Sequence, residues 1–464
     1  MKVKRIFILA LCILLICTFV ISGCAADVDD VSVEADAQNV DDIDNGSDAD
    51  LPPGLNQYEI LAYEYVRDNF MGRVFQPRLS EQDEQFNFRG VRNLRMNSWL
   101  TGEASQSRTR TRFDMGGTDL GFPLVMNDGS ILYFFGDSFS GMRHGGTWRC
   151  NAILRSTDMD PTDGIFFDSA WTRRDGFIES GRFSEFIPGA KRGTTRHVSY
   201  PVEPHHEVTT IPTGAFLIGD TIYVTYMSVE WWGPPGVWAV GHGSMARSTD
   251  GGVTWEKIHD KVIWPGDTYP MRPAGNKYRS SEHSSGFEQS HPVDGNDGYI
   301  YFFGIPGGRN ESVKLMRVAY EYVEVQDNYE YLVGYDDDGN PIWMTHADGG
   351  MWEAIHVIVG TVGEMSIMYS YYLEEWLITF ISPMHNNDMV IMSAKELWGP
   401  FSAPQQLVPF DDFPTLYGAF MIPAFQSADD PKIYFVMSIW GFPPNFNAEV
   451  YNSFLMEIEL IRGD

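Results

Sequence analysis

Five stretches of this 464-residue chain repeat one pattern, and that repetition restricts the fold more than any other feature of the sequence. Each stretch has a polar loop, an apolar strand rich in aromatic and β-branched residues, a tight turn, and a second strand that ends in polar residues. The stretches are residues 116–158, 211–255, 286–318, 363–394 and 419–460. Such repeats are typical of β-propellers, whose radial closure leaves only short strand edges exposed. The sequence therefore predicts an all-β, five-bladed β-propeller, with one short helix near residues 58–70.

A turn motif in the second repeat supports the same fold. Residues 248–255 read STDGGVTW and fit the Asp-box pattern S-x-D-x-G-x-T-W, which recurs in sialidase-type and other sugar-acting propellers. In this pattern the serine and aspartate bind the turn backbone, and glycine permits a positive φ. We therefore predict a structural role for Asp250 and none in catalysis. Residues 155–158 of the first repeat, RSTD, are identical to residues 247–250.

The N-terminal fifty residues have the composition of an export signal followed by a linker. Three positive charges precede an apolar run at residues 6–21, and residues 21–24 read ISGC. This segment resembles a bacterial lipoprotein signal, in which the cysteine, here Cys24, carries the lipid; the alternative is an ordinary cleaved signal peptide. Residues 25–50 hold ten acidic residues and no Lys or Arg, which predicts a disordered tether. The predicted organisation is a signal at 1–23, a lipidated linker at 24–50 and the propeller at 51–464.

The charge and the cysteine count exclude several classes of function. The net charge is −30, which leaves −23 for residues 51–464 once the +3 of the signal and the −10 of the linker are set aside. This balance disfavours nucleic acids and anionic polymers as partners and favours a neutral polymer. Cys150 alone would remain after lipidation, so no disulfide or cysteine metal site is expected. No spaced metal-ligand motif occurs, and we predict no metal and no cofactor; the alternatives for the histidines are a structural role, a place in the site, or a central ion.

Three carboxylates at strand ends are the candidate catalytic groups. Asp119 and Asp137 lie beside glycines around predicted strands at 124–126 and 131–135, and the chain is expected to reverse at residues 136–138 before a strand at 152–154. Glu364 directly precedes the apolar run of the fourth repeat. Glycosidases need two carboxyl groups at the scissile bond, one protonated and one ionised. The alternative for the two aspartates is turn capping, and for Glu364 an exposed charge at a strand start.

The candidate binding residues lie in glycine-rich or aromatic segments. Arg309 ends the loop FGIPGGR, where a flexible backbone and a forked donor suit ligand binding; the alternative is an arginine paired to an acid. Trp231, Trp232 and Trp238 surround the sequence GPPG, and their rings suit either sugar stacking or blade packing.

With these residues considered, the chain resembles the endo-D-arabinofuranase family of glycoside hydrolases, formerly a domain of unknown function (number 4185). The matching segments are GGTDLG, FFGDSFSG, WRCNAILRSTD, IPTGAFLIGDTIYVTYMSV, the Asp box, GYIYFFGIPGGRNESVKLMRV and GEMSIMY. The resemblance implies a five-bladed propeller that hydrolyses D-arabinofuranosyl linkages in mycobacterial-type arabinan. By motif it assigns catalysis to Asp119, Asp137 and Glu364.

Substrate binding is predicted for four residues, and the departures from the family are local. The four are Trp148, Arg149, Trp232 and Arg309, the first two of which open the third matching segment. Ser138 stands where threonine is expected. Residues 159–205 and 319–350 do not align, and they are the stretches expected to reshape the substrate cleft.

The sequence thus predicts a surface lipoprotein that cleaves furanosyl bonds within a polysaccharide, most directly D-arabinan. Glu364 is the expected general acid, and Asp119 or Asp137 the base or a neighbour that tunes it, with inversion of configuration. The chain is expected to be an exported monomer that meets the membrane only through its lipid. The alternative is a non-catalytic carbohydrate-binding propeller. A sialidase-like enzyme ranks lower, since no arginine triad with a tyrosine nucleophile is recognisable.

Overall fold

The computed structural model describes residues 51–141, 146–188, 207–232, 238–266, 284–309, 311–441 and 450–463. The predicted signal, Cys24 and the acidic linker lie outside these residues and stay predictions. Across the described ranges, no helix is both long and apolar enough to span a membrane.

A capped helix opens the described chain. Helix α1 spans Gln57–Asn69, where the sequence predicts it. The Asn56 side chain accepts hydrogen bonds from the amides of Tyr58 (3.0 Å) and Glu59 (3.1 Å). The Glu59 carboxylate accepts in return from the Asn56 amide at 2.7 Å, which completes a capping box. This helix start is therefore encoded locally.

Five antiparallel sheets form the body of the protein. The chain first passes through strand β1 (Phe88–Trp99) and the short helix α2 (Thr109–Phe113). The first sheet then contains β2 (Gly117–Val125), β3 (Ile131–Phe139), β4 (Trp148–Arg149), β5 (Ala152–Ser156), β6 (Ser169–Thr172) and β7 (Gly176–Ile178). The second contains β8 (Thr209–Ile218), β9 (Thr221–Trp232), β10 (Trp238–Ser248), β11 (Glu256–Lys257) and β12 (Trp264–Pro265).

The remaining three sheets follow in chain order. The third contains β13 (Gln289–Asp294), β14 (Tyr299–Ile305), β15 (Glu311–Ala319), β16 (Glu330–Tyr335), β17 (Pro341–Thr345) and β18 (His356–Val362), with the helix α3 (Gly350–Glu353) before β18. The fourth contains β19 (Met365–Ser370), β20 (Glu375–Ser382), β21 (Asp388–Ala394) and β22 (Gln405–Val408). The fifth contains β23 (Leu416–Met421), β24 (Lys432–Gly441) and β25 (Val450–Arg462), and β1 completes it beside β25.

The first strands of the sheets close into a ring. β2 contacts β8, β8 contacts β13, β13 contacts β19, β19 contacts β23, and β23 contacts β2 again. The five predicted repeats thus correspond to the five sheets, and the predicted all-β five-bladed propeller is confirmed. β1 was not predicted, and it pairs antiparallel with β25 from Phe88↔Arg462 to Trp99↔Phe454.

Apolar side chains fill the spaces between neighbouring blades. In the described part of the chain these residues form four clusters. One joins Phe216 of blade 2 to Phe302 of blade 3, and another joins Phe303 of blade 3 to Ile378 of blade 4. Burial of one such ring or branched side chain contributes about 1.5–3 kcal/mol. The blades are therefore held together by face-to-face packing of apolar side chains.

Antiparallel pairing brings particular strand ends to one face, which we call the upper face. The start of each first strand pairs with the end of the second strand in its blade. The pairs are Gly117↔Phe139, Thr209↔Val229, Gln289↔Ile305, Met365↔Phe380 and Leu416↔Ile439. Residues next to these pairs are thereby collected around the ring.

Two local predictions are wrong. The chain does not reverse at residues 136–138, because β3 continues to Phe139 and Ser138 pairs with both Thr118 and Arg149. The stretch 319–350 contributes β16 and β17, and β16 pairs with β15 at Met316 and Arg317, the half of β15 remote from the upper face. It therefore extends the outer edge of blade 3 instead of shaping the upper face.

The turn at residues 248–255 is closed by its own side chains. Asp250 accepts from the Ser248 hydroxyl (2.8 Å) and from the Thr254 amide (2.8 Å) and hydroxyl (2.7 Å). Trp255 Nε1 donates to the Gly252 carbonyl at 2.9 Å. The Asp250 carboxylate thus serves its turn, and the relation of this turn to the Asp-box motif stays a prediction.

Candidate active site

Asp119 lies at an irregular point of β2 on the upper face. The pairing of β2 with β3 is interrupted on both sides of Leu120, whose φ is +62°, and Gly121 follows with a φ of +101°. Such bulges redirect side chains and are common next to functional sites. The Asp119 carboxylate lies against the backbone of Gly136, where an added Cβ would be 2.4 Å from Asp119 Oδ1. Gly136 therefore leaves the space that this carboxylate occupies.

Asp137 lies inside β3, one residue beyond Gly136. Trp148 Nε1, on β4, donates a hydrogen bond to Asp137 Oδ1 at 2.8 Å. The Trp148 ring stacks on Phe139, with a centroid separation of 6.3 Å and an interplanar angle of 10°. Because alternate residues of a strand share a face, Asp137 and Phe139 present themselves on the same side as Trp148. The predicted binding residue Trp148 is thus in direct contact with a predicted catalytic residue.

Glu364 and Arg309 form a buried ion pair between blades 3 and 4. Glu364 is 4% exposed and directly precedes β19. Arg309 Nε donates to Glu364 at 2.9 and 3.2 Å. The guanidinium also lies over the rings of Tyr417 (4.4 Å) and Trp238 (5.5 Å). Burial alone would lower the pKa of Arg309, but the charge of Glu364 and the interaction with Tyr417 outweigh it and raise this pKa.

The loop that carries Arg309 is fixed from β13. The Gln289 side chain donates to the carbonyls of Pro306 (3.1 Å) and Gly308 (3.0 Å). Gln289 is fully buried, so these charge-free hydrogen bonds are shielded from water. The glycine-rich loop is therefore held in one conformation that delivers Arg309 to Glu364.

Two buried tyrosines of blade 5 connect the three carboxylates. Tyr417, in β23, interacts electrostatically with Glu364 and Asp119. Tyr451, in β25, interacts electrostatically with Asp119 and Asp137. Burial and then these negative charges raise the pKa of both phenols well above the usual value. Both hydroxyls therefore stay protonated hydrogen-bond donors at any pH at which the protein works.

Sequence patterns did not single out these tyrosines. Tyr417 is the second residue of its blade's first strand, close to the position of Glu364, which directly precedes the first strand of blade 4. That position was the available signal for Tyr417. Tyr451 lies in a last strand, where the repeat pattern carries no comparable marker.

A small cavity lies beneath Glu364 near the centre of the ring. Its volume is about 10 Å³, and its lining includes Gln289, His291, Glu364 and Tyr417. This is roughly the space of one water molecule. Burial lowers the pKa of His291 to about 3, against the opposing effect of the Thr213 and Met365 backbone. His291 is therefore a neutral imidazole at the base of the site.

Trp232 and Arg149 are the two predicted binding residues that remain to be placed. Trp232 Nε1 donates to Thr209 Oγ1 at 3.2 Å, and its ring lies 5.6 Å from that of Trp238, which in turn contacts Arg309. Arg149 is buried, pairs with Asp114 at 2.8 Å and lies 4.2 Å over the Phe183 ring. Trp232 thus reaches the site through Trp238, whereas the described contacts of Arg149 anchor β4.

Among the residues that the structure describes, no three His, Cys, Asp or Glu side chains gather closely enough to hold a metal ion. Of the histidines noted in the sequence, His291 lies beneath the site, and the Nδ1 of His385 is 2.7 Å from the Ser382 hydroxyl. His197, His205 and His206 fall outside the described residues.

Five blades around three carboxylates, a guanidinium and two phenols define a β-propeller with an acidic central site. The chain belongs to the family described as "Domain of unknown function (DUF4185)", whose model matches residues 104–457. The predicted family is thereby confirmed in its general form. The matched residues contain every described member of the site and exclude α1 and β1.

Similar proteins include one curated relative and two solved structures. Notoamide biosynthesis cluster protein J of Aspergillus sp. (strain MF297-2) is 22% identical over 360 residues, which cover 75% of this chain and 85% of that protein. The α-L-arabinofuranosidase PaAbf62A of Podospora anserina has a TM-score of 0.40 at 10% identity, covering 79% of this chain and 97% of that one. A GH43_1 enzyme of Xanthomonas citri has a TM-score of 0.39 at 10% identity, covering 76% and 92%.

Proposed function

We propose that this protein is a glycoside hydrolase whose active site contains Asp119, Asp137 and Glu364. The observation that carries the proposal is the convergence of these groups: carboxylates from blades 1 and 4 meet around Tyr417 and Tyr451 of blade 5. Glycoside hydrolysis requires at least two carboxyl groups in different protonation states at one bond. Clustered, partly buried acids favour such a difference, because neighbouring like charges are costly.

The proposed substrate is a neutral polysaccharide with furanosyl linkages, cleaved internally, with D-arabinan as the first choice. This choice is supported by the resemblance to the endo-D-arabinofuranase family in the segments that contain the three carboxylates. It is also supported by the charge of −23 over residues 51–464, which would repel anionic polymers. The half-buried indole of Trp148 beside Asp137 offers a ring face of the kind that packs against sugars.

The ion pair with Arg309 changes the role proposed for Glu364. Charge-assisted hydrogen bonds from a guanidinium favour a charged carboxylate, so we assign Glu364 the role of a permanent negative charge. A charge of this sign stabilises the positive character that the sugar ring acquires in the transition state. The general acid and general base are then Asp119 and Asp137, which lie side by side on β2 and β3.

The proposed reaction is a single displacement. One aspartic acid donates its proton to the leaving glycosidic oxygen while the carbon–oxygen bond breaks. The other aspartate removes a proton from water as the water oxygen bonds to the anomeric carbon, which inverts the configuration. At the end of the step the first residue is ionised and the second is protonated, and exchange with solvent restores both.

The first test measures reducing ends released from a panel of polysaccharides that includes D-arabinan. We expect internal cleavage by the wild-type protein and losses of about 10²–10⁴-fold in rate for Asp119→Asn and Asp137→Asn, which remove the proposed acid and base. Folding should survive, because an amide keeps the shape of the carboxylate and most of its hydrogen bonding.

Asp294→Asn is the matched control. Asp294 is also a half-buried strand aspartate that accepts from a tyrosine, Tyr320, but it lies at the far end of β13 from the upper face. This variant should keep wild-type activity. If the protein retains D-arabinan but releases no reducing ends, it is a non-catalytic carbohydrate-binding propeller and the hydrolase proposal is wrong. Full activity in the Asp119 and Asp137 variants would overturn the assigned site.

A further inference from the structure

Trp148 is held in place by the pairing of β4 with β3. In the register of these strands Phe139 is the direct partner of Trp148. Ser140 continues the pairing: its amide donates to the Thr147 carbonyl at 3.0 Å, and its hydroxyl accepts from the Thr147 amide at 2.8 Å. Cross-strand partners present their side chains on one face of a sheet, so the indole of Trp148 lies beside Phe139.

Arg149 anchors β4 from the opposite side. Successive residues of a strand point to opposite faces, so Arg149 is directed away from the face that carries Trp148. Its guanidinium pairs with Asp114 at 2.8 Å and lies 4.2 Å over the Phe183 ring. β4 has only two residues, and these contacts therefore help to fix Trp148 relative to β3.

Two contacts set the orientation of the Trp148 indole. The ring is nearly parallel to that of Phe139, with an interplanar angle of 10° and a centroid separation of 6.3 Å. The indole N–H lies in the plane of the ring and donates to Asp137 Oδ1 at 2.8 Å. Stacking thus fixes the plane of the indole, and the hydrogen bond fixes its direction within that plane. In return, the Asp137 carboxylate is held in one orientation.

The hydrogen bond also acts on the charge of Asp137. An indole N–H is a donor only, so the oxygen of Asp137 that it meets is an acceptor. A hydrogen bond of this kind is stronger when the acceptor is ionised, and it therefore favours the charged carboxylate. Trp148 itself is half-buried, so part of the indole stays accessible from the upper face.

We propose that Trp148 is a positioning residue for Asp137, whose carboxylate its N–H orients and favours in the ionised form, while its ring serves the sugar. This inference rests on the proposed glycoside hydrolase function and deepens it. The sequence predicted only that Trp148 binds substrate. The contacts of its N–H and of its ring divide that role into two parts, which can be removed one at a time.

Other titratable groups lie close to Asp137 and bear on its ionisation. Among the described residues they are Asp119 of β2 and Tyr451 of β25, with Tyr417 of β23 beside Tyr451. The two phenols stay protonated, whereas Asp119 is a second carboxylate whose charge influences Asp137. The test therefore follows the Trp148–Asp137 contact itself as well as the activity.

Trp148→Phe keeps an aromatic ring against Phe139 and removes the N–H. The charged form of Asp137 loses a donor, so the pKa of Asp137 rises. We expect kcat to fall by about 10-fold to 10²-fold, because the carboxylate is no longer held in place, with KM almost unchanged. One limb of the kcat/KM profile, the one that Asp137 controls, should move up by about one pH unit. Trp148→Ala should raise KM as well, since the ring surface is also lost.

Trp171→Phe is the matched control. Trp171 is another indole donor of blade 1, and its N–H reaches the Val253 carbonyl at 3.0 Å, in the turn at residues 248–255 at the opposite end of the blades. This variant should keep the wild-type kcat, KM and pH profile. An unchanged kcat and profile in Trp148→Phe would overturn the proposal. A lower melting temperature and rate with neither limb moved would also do so, because the indole would then only pack.

A second measurement does not depend on catalysis. Nitrogen-15 NMR of tryptophan-labelled protein follows the indole N–H of Trp148, whose signal is identified by its absence from Trp148→Phe. This signal should shift with pH as Asp137 ionises, and the shift should disappear in Asp137→Asn. A signal that does not respond to pH, or that responds equally in Asp137→Asn, would refute the positioning role. If no polysaccharide is cleaved, the proposed function fails by itself, while this titration still decides whether Trp148 holds Asp137.

Discussion

Single buried residues decide the charge state of this site. The Arg309 guanidinium packs against the rings of Trp238 and Tyr417 and donates a hydrogen bond to Glu364. Contacts within the protein therefore hold this side chain in place. The sequence left two roles open for Arg309, ligand binding or pairing with an acid, and the structure shows the second. The acid to which it is paired is itself a candidate catalytic residue. In the proposed active site the arginine therefore acts through Glu364.

His291 gives the fold a defined sensitivity to acid. Its pKa is about 3 in the folded protein because it is buried, and about 6.5 in an unfolded chain. Between these values the unfolded chain binds more protons, so stability falls as the pH drops from 6.5 towards 3. Glu364 and Tyr417 line the same cavity as His291.

We expect His291→Gln to lose less stability on acidification than the wild type. At pH 4.5 the difference in unfolding free energy between the two proteins, relative to pH 7, should be on the order of 2 kcal/mol. Urea denaturation at both pH values measures it, and the comparison cancels the carboxylates common to both proteins. Parallel pH dependences in the two proteins would show that His291 is not buried in its neutral form.

Candidate site residues could be predicted from the sequence where they stand in a recognisable motif. Asp119, Asp137, Glu364 and Arg309 stand in glycine-rich segments, and the structure gathers all four. Tyr417 and Tyr451 could not be found in the same way, because a phenol becomes important here only through burial beside charges from other blades. That burial is a property of the closed ring and not of any local segment.

At the scale of elements, the irregular strand β2 sets the geometry of the pair. Asp119 was expected at a strand end and Asp137 at a reversal of the chain, yet both lie within strands. Asp137 does so because β3 continues through Ser138 and gains β4 as a neighbour. The sequence Gly136-Asp137-Ser138 is typical of a turn. In the structure, however, Gly136 lies within β3 and leaves room for the Asp119 carboxylate. The left-handed Leu120 is a backbone feature that the side-chain pattern cannot reveal.

Gly136→Ala should disable the site without unfolding the protein. The new methyl group would lie 2.4 Å from Asp119 Oδ1 and 3.0 Å from the Leu120 side chain, so the carboxylate must move. A displacement of about 1 Å can cost about 10²-fold in rate. Polysaccharide cleavage and melting temperature measure the two effects. Gly334→Ala is the control, since Gly334 also lies in a strand and its added Cβ meets nothing nearer than 3.9 Å. Equal activity of both alanine variants would contradict this account.

Strand β1 shows what local patterns could not predict. Its burial alternation is broken by register shifts near Gly90, Asn93 and Asn97, so the period of two is lost. Its partner β25 is at the other end of the chain. The five repeats, by contrast, are pairs of adjacent strands joined by short turns, and their local signals were sufficient.

At the scale of the whole molecule, the pairing of β1 with β25 closes the ring of blades. β1 buries Val91, Leu94, Met96 and Trp99 in the core of blade 5. Leu100 continues the contact by donating its amide to the Ser453 carbonyl at 2.9 Å. Asn452, next to Tyr451, donates to the Gly116 carbonyl at 3.0 Å. Closure therefore also fixes the strand that carries Tyr451 relative to Asp119.

Two truncations should separate the tether from the closing strand. A protein that starts at Leu51 should melt within a few degrees of the full chain, because residues 25–50 lack the apolar surface to pack. A protein that starts at Thr101 loses β1 and exposes β25 as a sheet edge, so it should melt at least about 10 °C lower or aggregate. Calorimetry and light scattering distinguish the two. Similar melting of both proteins would show that β1 does not close the ring.

The pairing of β1 with β25 has a consequence for biosynthesis. The ribosome makes β1 first among the strands and its partner last, so the nascent chain carries an edge without its mate throughout translation of the propeller. Pairing of such sequence-distant segments is slow, and exposed edges attract other chains in the meantime. A prematurely terminated product has no route to a closed ring. Because Tyr451 lies in β25, it can approach Asp119 only after this last described strand has been synthesised.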